Sequence, residues 1–145
     1  MEISSAENEA IVRTVCESVS SALEKGQAVK PEHLVVYEID YLVMEANSAA
    51  SYEQYFRWAS VEQIGRIISA LRMVRLEDVA DLTERAIRVA FPHGVPTSNE
   101  EKTNLTNWSD EQENELRALF TLFEEHNGRI TNVLARYVTM SGQGK

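Results

Sequence analysis

YEIDYLVMEANSAASYEQYFRW, residues Tyr37 to Trp58, holds six of the eleven aromatic residues of the chain. That density marks the centre of a core or the wall of a pocket. The segment Tyr37-Glu38-Ile39-Asp40-Tyr41 alternates like a half-buried strand, yet Leu34, Tyr37, Tyr41, Leu42 and Met44 also fit one side of a helix. Length decides for helix. The sixteen residues from Pro31 to Ala46 contain no turn signal, and no other alternating segment is present to pair with a strand. Pro31 suits a first helical position, and a helix apolar around much of its circumference belongs at the centre of a fold. Glu38 and Glu45 share the face of Leu34, Tyr41 and Leu42. A carboxylate there is either paired or lines a cavity. Asn47 to Ser51 reads as a small-residue turn, and Tyr52 to Trp58 as a short helical turn.

The same periodicity extends outward in both directions. Ser4-x-x-Glu7 reads as a capping box before Val12, Val15, Cys16, Val19 and Leu23, and Gly26 as the stop. Ser60-x-x-Gln63 leads the stripe Ile64, Ile67, Ile68, Leu71 and Val74. Glu77 opens a helix with Val79, Leu82, Thr83, Ala86, Ile87 and Ala90 inward, ended by Pro92. Residues 92–108 form the one long irregular stretch, in which Ser98-x-x-Glu101 marks a helical turn. Ser109-x-x-Gln112 caps a helix carrying Leu116, Leu119, Phe120 and Phe123, closed by Asn127-Gly128. A last helix carries Ile130, Val133, Leu134, Tyr137 and Val138, and Ser141 to Lys145 reads as a frayed tail. The expectation is an all-α, single compact domain of about six helices spanning residues 1–145.

Net charge is −9, distributed as −6 over residues 1–45, zero over 46–92 and −3 over 93–145. Such a balance argues against direct binding to nucleic acid or to an anionic membrane, whose phosphates require cations. A single cysteine, Cys16, excludes an intramolecular disulfide. With neither a signal-peptide layout nor a spanning apolar run, the expectation is a cytoplasmic protein. His33, His93 and His126 stand apart, outside any metal-ligand spacing. Phosphate loops, nucleophile elbows and Cys-x-x-Cys pairs are absent from the sequence, so neither an enzyme nor a cofactor or metal is expected.

The acids offer a different chemistry. Glu77, Asp78, Asp81 and Glu84 form one group. Glu100 and Glu101 with Asp110, Glu111, Glu113 and Glu115 form another. Carboxylates held on rigid helices present negative charge as a duplex presents phosphates, and so attract a protein that grips DNA. Acid at helix starts also has a simpler cause, the helix dipole. Two functional readings stay open. One is a binding protein acting through an acidic face, either a DNA mimic or an immunity-type inhibitor of a basic toxin. The other is a pocket protein or enzyme using Glu45, Gln54 and the surrounding tyrosines.

Leu42-x-x-Glu45-x-Asn47 followed by Tyr52-Glu53-Gln54-Tyr55-Phe56 resembles the signature of the bacterial DNA-mimic protein family. Phe91-Pro92-x-Gly94-x-Pro96, Glu101-Lys102 and Tyr137-Val138 are similar to its downstream features. The likeness spans about residues 34–140 and leaves the first helix (residues 4–25) largely outside. It implies an all-helical homodimer whose acidic surface occupies the DNA-binding face of a basic DNA-binding protein such as a transcription factor. Two departures stand out. Ser48-Ala49-Ala50-Ser51 replaces a pair of glycines, and Lys102 replaces an arginine expected to meet a carboxylate.

Overall fold

The computed structural model describes residues 2–143 and is all-helical, with eight helices among the described residues. They are α1 (Ala6–Glu24), α2 (Pro31–Ala49), α3 (Glu53–Trp58), α4 (Val61–Met73), α5 (Glu77–Ala90), α6 (Asn99–Leu105), α7 (Asp110–Glu124) and α8 (Asn127–Gln143). The excess over about six lies in α3 and α6, of six and seven residues. Helices this short are not stable alone, and a periodicity needs more than two turns to be read. Tertiary anchors hold them instead: Tyr55 and Phe56 in α3, Lys102 in α6.

Helix α2 is central, as its composition requires. It packs against α1, α3, α4 and α8, and it buries Val36, Glu38, Ile39, Leu42 and Ala46. A second layer joins α4 to α5, α5 to α7, and α7 back to α3. The apolar stripe of α1 (Val12, Val15, Val19) is covered by α2 and α8 within one chain, while Leu23 stays exposed. No helix among the described residues is long and apolar enough to cross a membrane.

Several boundaries differ from the sequence expectation. The cap of α1 is Ser5, which accepts from the Asn8 N–H, while Ser4 donates to Glu9. Asn127-Gly128 opens α8 rather than closing α7. Gly128 is needed there because a Cβ would lie 2.1 Å from the Glu2 carbonyl oxygen. Asn132 then ties this N-terminal segment down, donating to the Glu2 carboxylate and the Ile3 carbonyl. Residues 141–143 of the expected tail continue α8. Gly144 and Lys145 lie outside the described residues.

Both capping boxes, Ser60/Gln63 and Ser109/Gln112, form as read. Three helices end in the same way, with one left-handed residue and two backbone bonds that satisfy the last carbonyls. In α1 this residue is Gly26, with Gln27 N–H bonded to Ala22 and Gly26 N–H to Leu23. In α2 it is Ala50 (φ 50°), with Ser51 bonded to Ala46. In α4 it is Arg75 (φ 65°), with Leu76 bonded to Leu71. The Ser48–Ser51 stretch that stands in for two glycines is therefore not a wider turn. Helix α2 runs through it to Ala49 and makes the glycine-type stop with an alanine.

The aromatic stretch divides between core and surface. Tyr52, Tyr55 and Phe56 are fully buried, whereas Trp58 is 61% exposed. Tyr52 stacks on Phe56 and meets Phe123 edge-on, and Phe56 meets Phe91 edge-on. The two buried hydroxyls differ. Tyr52 shares a hydrogen bond with Thr83 at 3.1 Å, whereas the Tyr55 hydroxyl is buried with no partner among the described residues.

Two stability outcomes follow from this geometry. Tyr52→Phe strands the Thr83 hydroxyl and should cost about 1–2 kcal/mol, whereas Tyr55→Phe removes an unsatisfied group and should be neutral or stabilising by about 1 kcal/mol. Urea denaturation of both variants checks this, and equal losses would contradict it. Ala50→Gly relieves the left-handed alanine and should stabilise by about 0.5–1 kcal/mol, read from the same midpoints.

Candidate functional site

The two acidic groups of the sequence have different surroundings. Glu77, Asp81 and Glu84 converge on one guanidinium, that of Arg72, at 2.5, 3.1 and 3.9 Å. Glu84 also lies 3.6 Å from Arg88, and Asp78 accepts from Arg129 at 2.7 Å. The Arg129 bond holds the Asp78 carboxyl below its usual range. This group is an ionic seam joining α4, α5 and α8, largely neutralised by its own arginines. Arg72, whose own sequence position gave no hint of the role, is its organiser.

The second group keeps its charge. Glu100, Glu101, Asp110, Glu111 and Glu115 are exposed, and none forms an ion pair among the described residues. Glu100, Glu101, Asp110 and Glu111 occupy the first turns of α6 and α7, where the positive ends of the helix dipoles favour them, and Glu115 lies a turn further along α7. Glu111 and Glu115 border a shallow groove shared with Arg85 and Arg88 of α5. Glu113 faces the other way, toward Glu53 of α3. One Glu53 oxygen is buried without a hydrogen bond. Burial first, then the Glu113 charge, pushes the Glu53 carboxyl above its ordinary range, against the pull of Arg117 and Arg57. Glu53 was legible only as a letter inside the aromatic block, and its partnership with Glu113 depends on how α3 meets α7.

Lys102 builds this corner. Its side chain is buried, and its ammonium donates to the carbonyls of Phe56 and Arg57 at 2.8 and 2.7 Å. Burial and the Arg57 charge lower its pKa. Lys102 pairs with no carboxylate among the described residues, in keeping with a lysine's inability to reproduce the bidentate contact of an arginine. Lys102 instead closes the C-terminal end of α3, where carbonyls are unsatisfied and the dipole favours a cation. Two converging carbonyls suit a compact ammonium, so lysine serves here without the planar fork of arginine. Arg57 lies over the Trp108 ring at 5.3 Å, and the Trp108 N–H donates to the Ala90 carbonyl. Asn99 of α6 accepts from the first N–H of α4.

The residues proposed for a pocket separate. Tyr52, Tyr55 and Phe56 form solid core. Beside the apolar faces of two adjoining helical elements, Glu45 and Gln54 are expected to be partly buried and bonded to backbone or to a tyrosine hydroxyl; both are half-buried, but neither side chain makes such a hydrogen bond among the described residues. The buried, bonded carboxylate of that face is Glu38, 4% exposed, which accepts from Arg66 at 2.5 Å and from Gln63 at 3.3 Å. Asn47 has a structural task. It exchanges two amide hydrogen bonds with Asn127, stitching the end of α2 to the start of α8.

The Glu53–Glu113 contact has a pH signature. A carboxyl raised by folding binds protons more tightly in the folded state, so its penalty is absent at acid pH and appears as pH rises through the raised value. Glu53→Gln should therefore raise the urea midpoint at pH 7 and lose that advantage near pH 4. A midpoint change independent of pH would show that Glu113 does not load this site.

No curated protein and no solved structure matches the chain. A family model described as DMP19-like protein matches residues 27–140. That match covers well over half of the chain and leaves α1 outside. The protein therefore belongs to the DMP19-like family, the DNA-mimic family that its aromatic block resembles.

Proposed function

We propose that this protein is an acidic protein-binding module acting as a DNA mimic, which occupies the DNA-binding face of a basic protein. The observation that carries the reading is the contrast between its two acidic groups. One is spent on arginines inside the molecule. The other is left unpaired on the starts of α6 and α7, and Glu53 and Glu113 are held together there at a cost to the fold. Charge retained against stability is a common mark of an interaction surface. A cationic partner would relieve the repulsion, as metal-free duplex phosphates are relieved by arginine and lysine. The proposed face is accordingly Glu100, Glu101, Asp110, Glu111, Glu113 and Glu115, extended by Glu53. The Glu77, Asp78, Asp81 and Glu84 group serves as its scaffold. Exposed Trp58, next to the carbonyls held by Lys102, supplies an aromatic anchor of the kind that dominates interface energetics.

The same reading includes a cytoplasmic setting and a homodimer. The α1 stripe is not available for the dimer contact, since α2 and α8 cover it within one chain.

The test changes charge without changing shape. A variant combining Asp110→Asn, Glu111→Gln, Glu113→Gln and Glu115→Gln should lose at least about tenfold in affinity for a basic DNA-binding partner captured from lysate. Binding of the unsubstituted protein should fall steeply with salt and be displaced by duplex DNA. The pair Glu77→Gln and Asp81→Asn should lower the urea midpoint yet leave partner capture intact. Recovery of the same partner by both proteins overturns the reading, as does failure of DNA to compete. A basic toxin recovered without DNA competition identifies an immunity-type inhibitor instead.

A further inference from the structure

Away from the acidic corner, α1 and α2 border a groove of about 510 Å³, within the roughly 300–1,000 Å³ of small-molecule sites. Val12 and Cys16 of α1 and Tyr37, Asp40, Tyr41 and Met44 of α2 line it. Glu9, Arg13 and Glu17, all exposed, border it as well. Its surface is mainly apolar, and Met44 stands 64% exposed beside it.

Asp40 is the group that this wall does not explain. Its carboxylate is half-buried, and its side chain has one hydrogen bond, from the Cys16 thiol at 3.5 Å. A thiol is a weak donor. Among the described residues no cation lies within ion-pair distance of Asp40, and Arg13, the basic residue nearest in the lining, forms no ion pair. The contrast with Glu38, two residues earlier and bonded to Arg66 and Gln63, is direct. Burial raises the Asp40 carboxyl, the thiol bond opposing in part. Carboxylate withdrawn from water is stabilised most effectively by an incoming cation, and tyrosine faces attract cations as well.

We propose that this groove is a binding site for an organic ammonium, with the cation between Asp40 and the rings of Tyr37 and Tyr41 and an apolar body along Val12 and Met44. Charge complementarity selects the cation and the apolar wall selects the body. The lining includes none of the acids assigned to partner binding, so the proposal stands or falls separately from the DNA-mimic reading.

Benzyltrimethylammonium is a direct probe, and 2,2-dimethyl-3-phenylpropan-1-ol, with a quaternary carbon in place of nitrogen and a hydroxyl on one methyl for solubility, is its neutral counterpart. Titration calorimetry on the full chain should show saturable binding of the ammonium, at least about tenfold tighter than the alcohol. Asp40→Asn should remove that preference while leaving binding of the alcohol unchanged. Met44→Arg, at an exposed position, places a competing cation at the groove and should weaken ammonium binding without touching the core. Equal affinity for the two probes, no binding of the ammonium, or full affinity in both variants would overturn the proposal.

Discussion

Burying a helix that carries Glu38, Asp40 and Glu45 is the constraint on which the rest of this structure depends. Helix α2 must be surrounded, because its apolar residues point in most directions, yet the carboxylates of Glu38, Asp40 and Glu45 go with it into the packing. Each is handled differently. Glu38 goes deepest and is matched by Arg66 and Gln63 of α4, so the position of α4 is fixed by an ion pair as well as by Ile64, Ile67 and Leu71. Asp40 turns toward α1 and finds a thiol. Glu45 lies on the half-buried margin near the end of the helix, open in part to solvent. The arrangement of α1, α2 and α4 reflects these three solutions.

The same economy governs charge elsewhere. Acid bonded to arginine becomes mortar, as around Arg72, and acid that no arginine bonds among the described residues becomes surface, even where Arg85 and Arg88 share a groove with Glu111 and Glu115. Net charge alone does not distinguish these uses, and −9 describes both. The distinction arises from helix packing: α4 brings Arg72 to the acids of α5, and α8 brings Arg129 to Asp78. The first turns of α6 and α7 receive no equivalent cation. Lys102, the basic residue within α6, is turned inward to the carbonyls of α3.

Much of the fold was legible because its signals are local. Pro31, both Ser-x-x-Gln boxes and the stripe of α4 each specify a helix boundary or face without tertiary help. Helices α3 and α6 were legible only as helical turns, at Tyr52–Trp58 and from Ser98-x-x-Glu101, since what holds them is remote: Thr83 for Tyr52 beside α3, and two carbonyls for Lys102. Glu45 was chosen over Glu38 for similar reasons. The two residues are seven apart and share a face, so periodicity cannot tell which end is buried. For the candidate site, the acids of α6 and α7 were readable as letters. The arginines that neutralise the other group were not, because Arg72 and Arg129 are 57 residues apart in sequence and join one seam only through the α4–α5–α8 packing. The αL stops at Ala50 and Arg75 were equally hidden, as nothing in an alanine or an arginine announces a left-handed backbone.

The clamp at Gly128 and Asn132 changes the standing of the first helix. The family match begins at residue 27, which would make α1 look like an appendage added to a finished core. It is sewn in at both ends. Its leading segment lies on the bare backbone of Gly128, and its trailing turn at Gly26 feeds directly into Pro31. Between those points it covers the apolar flanks of α2 and α8. A fragment cut at the family boundary would thus be an opened molecule rather than a minimal one, with a flank of α2 and a flank of α8 exposed to solvent. For this chain, the unit of descent and the unit of folding have different edges.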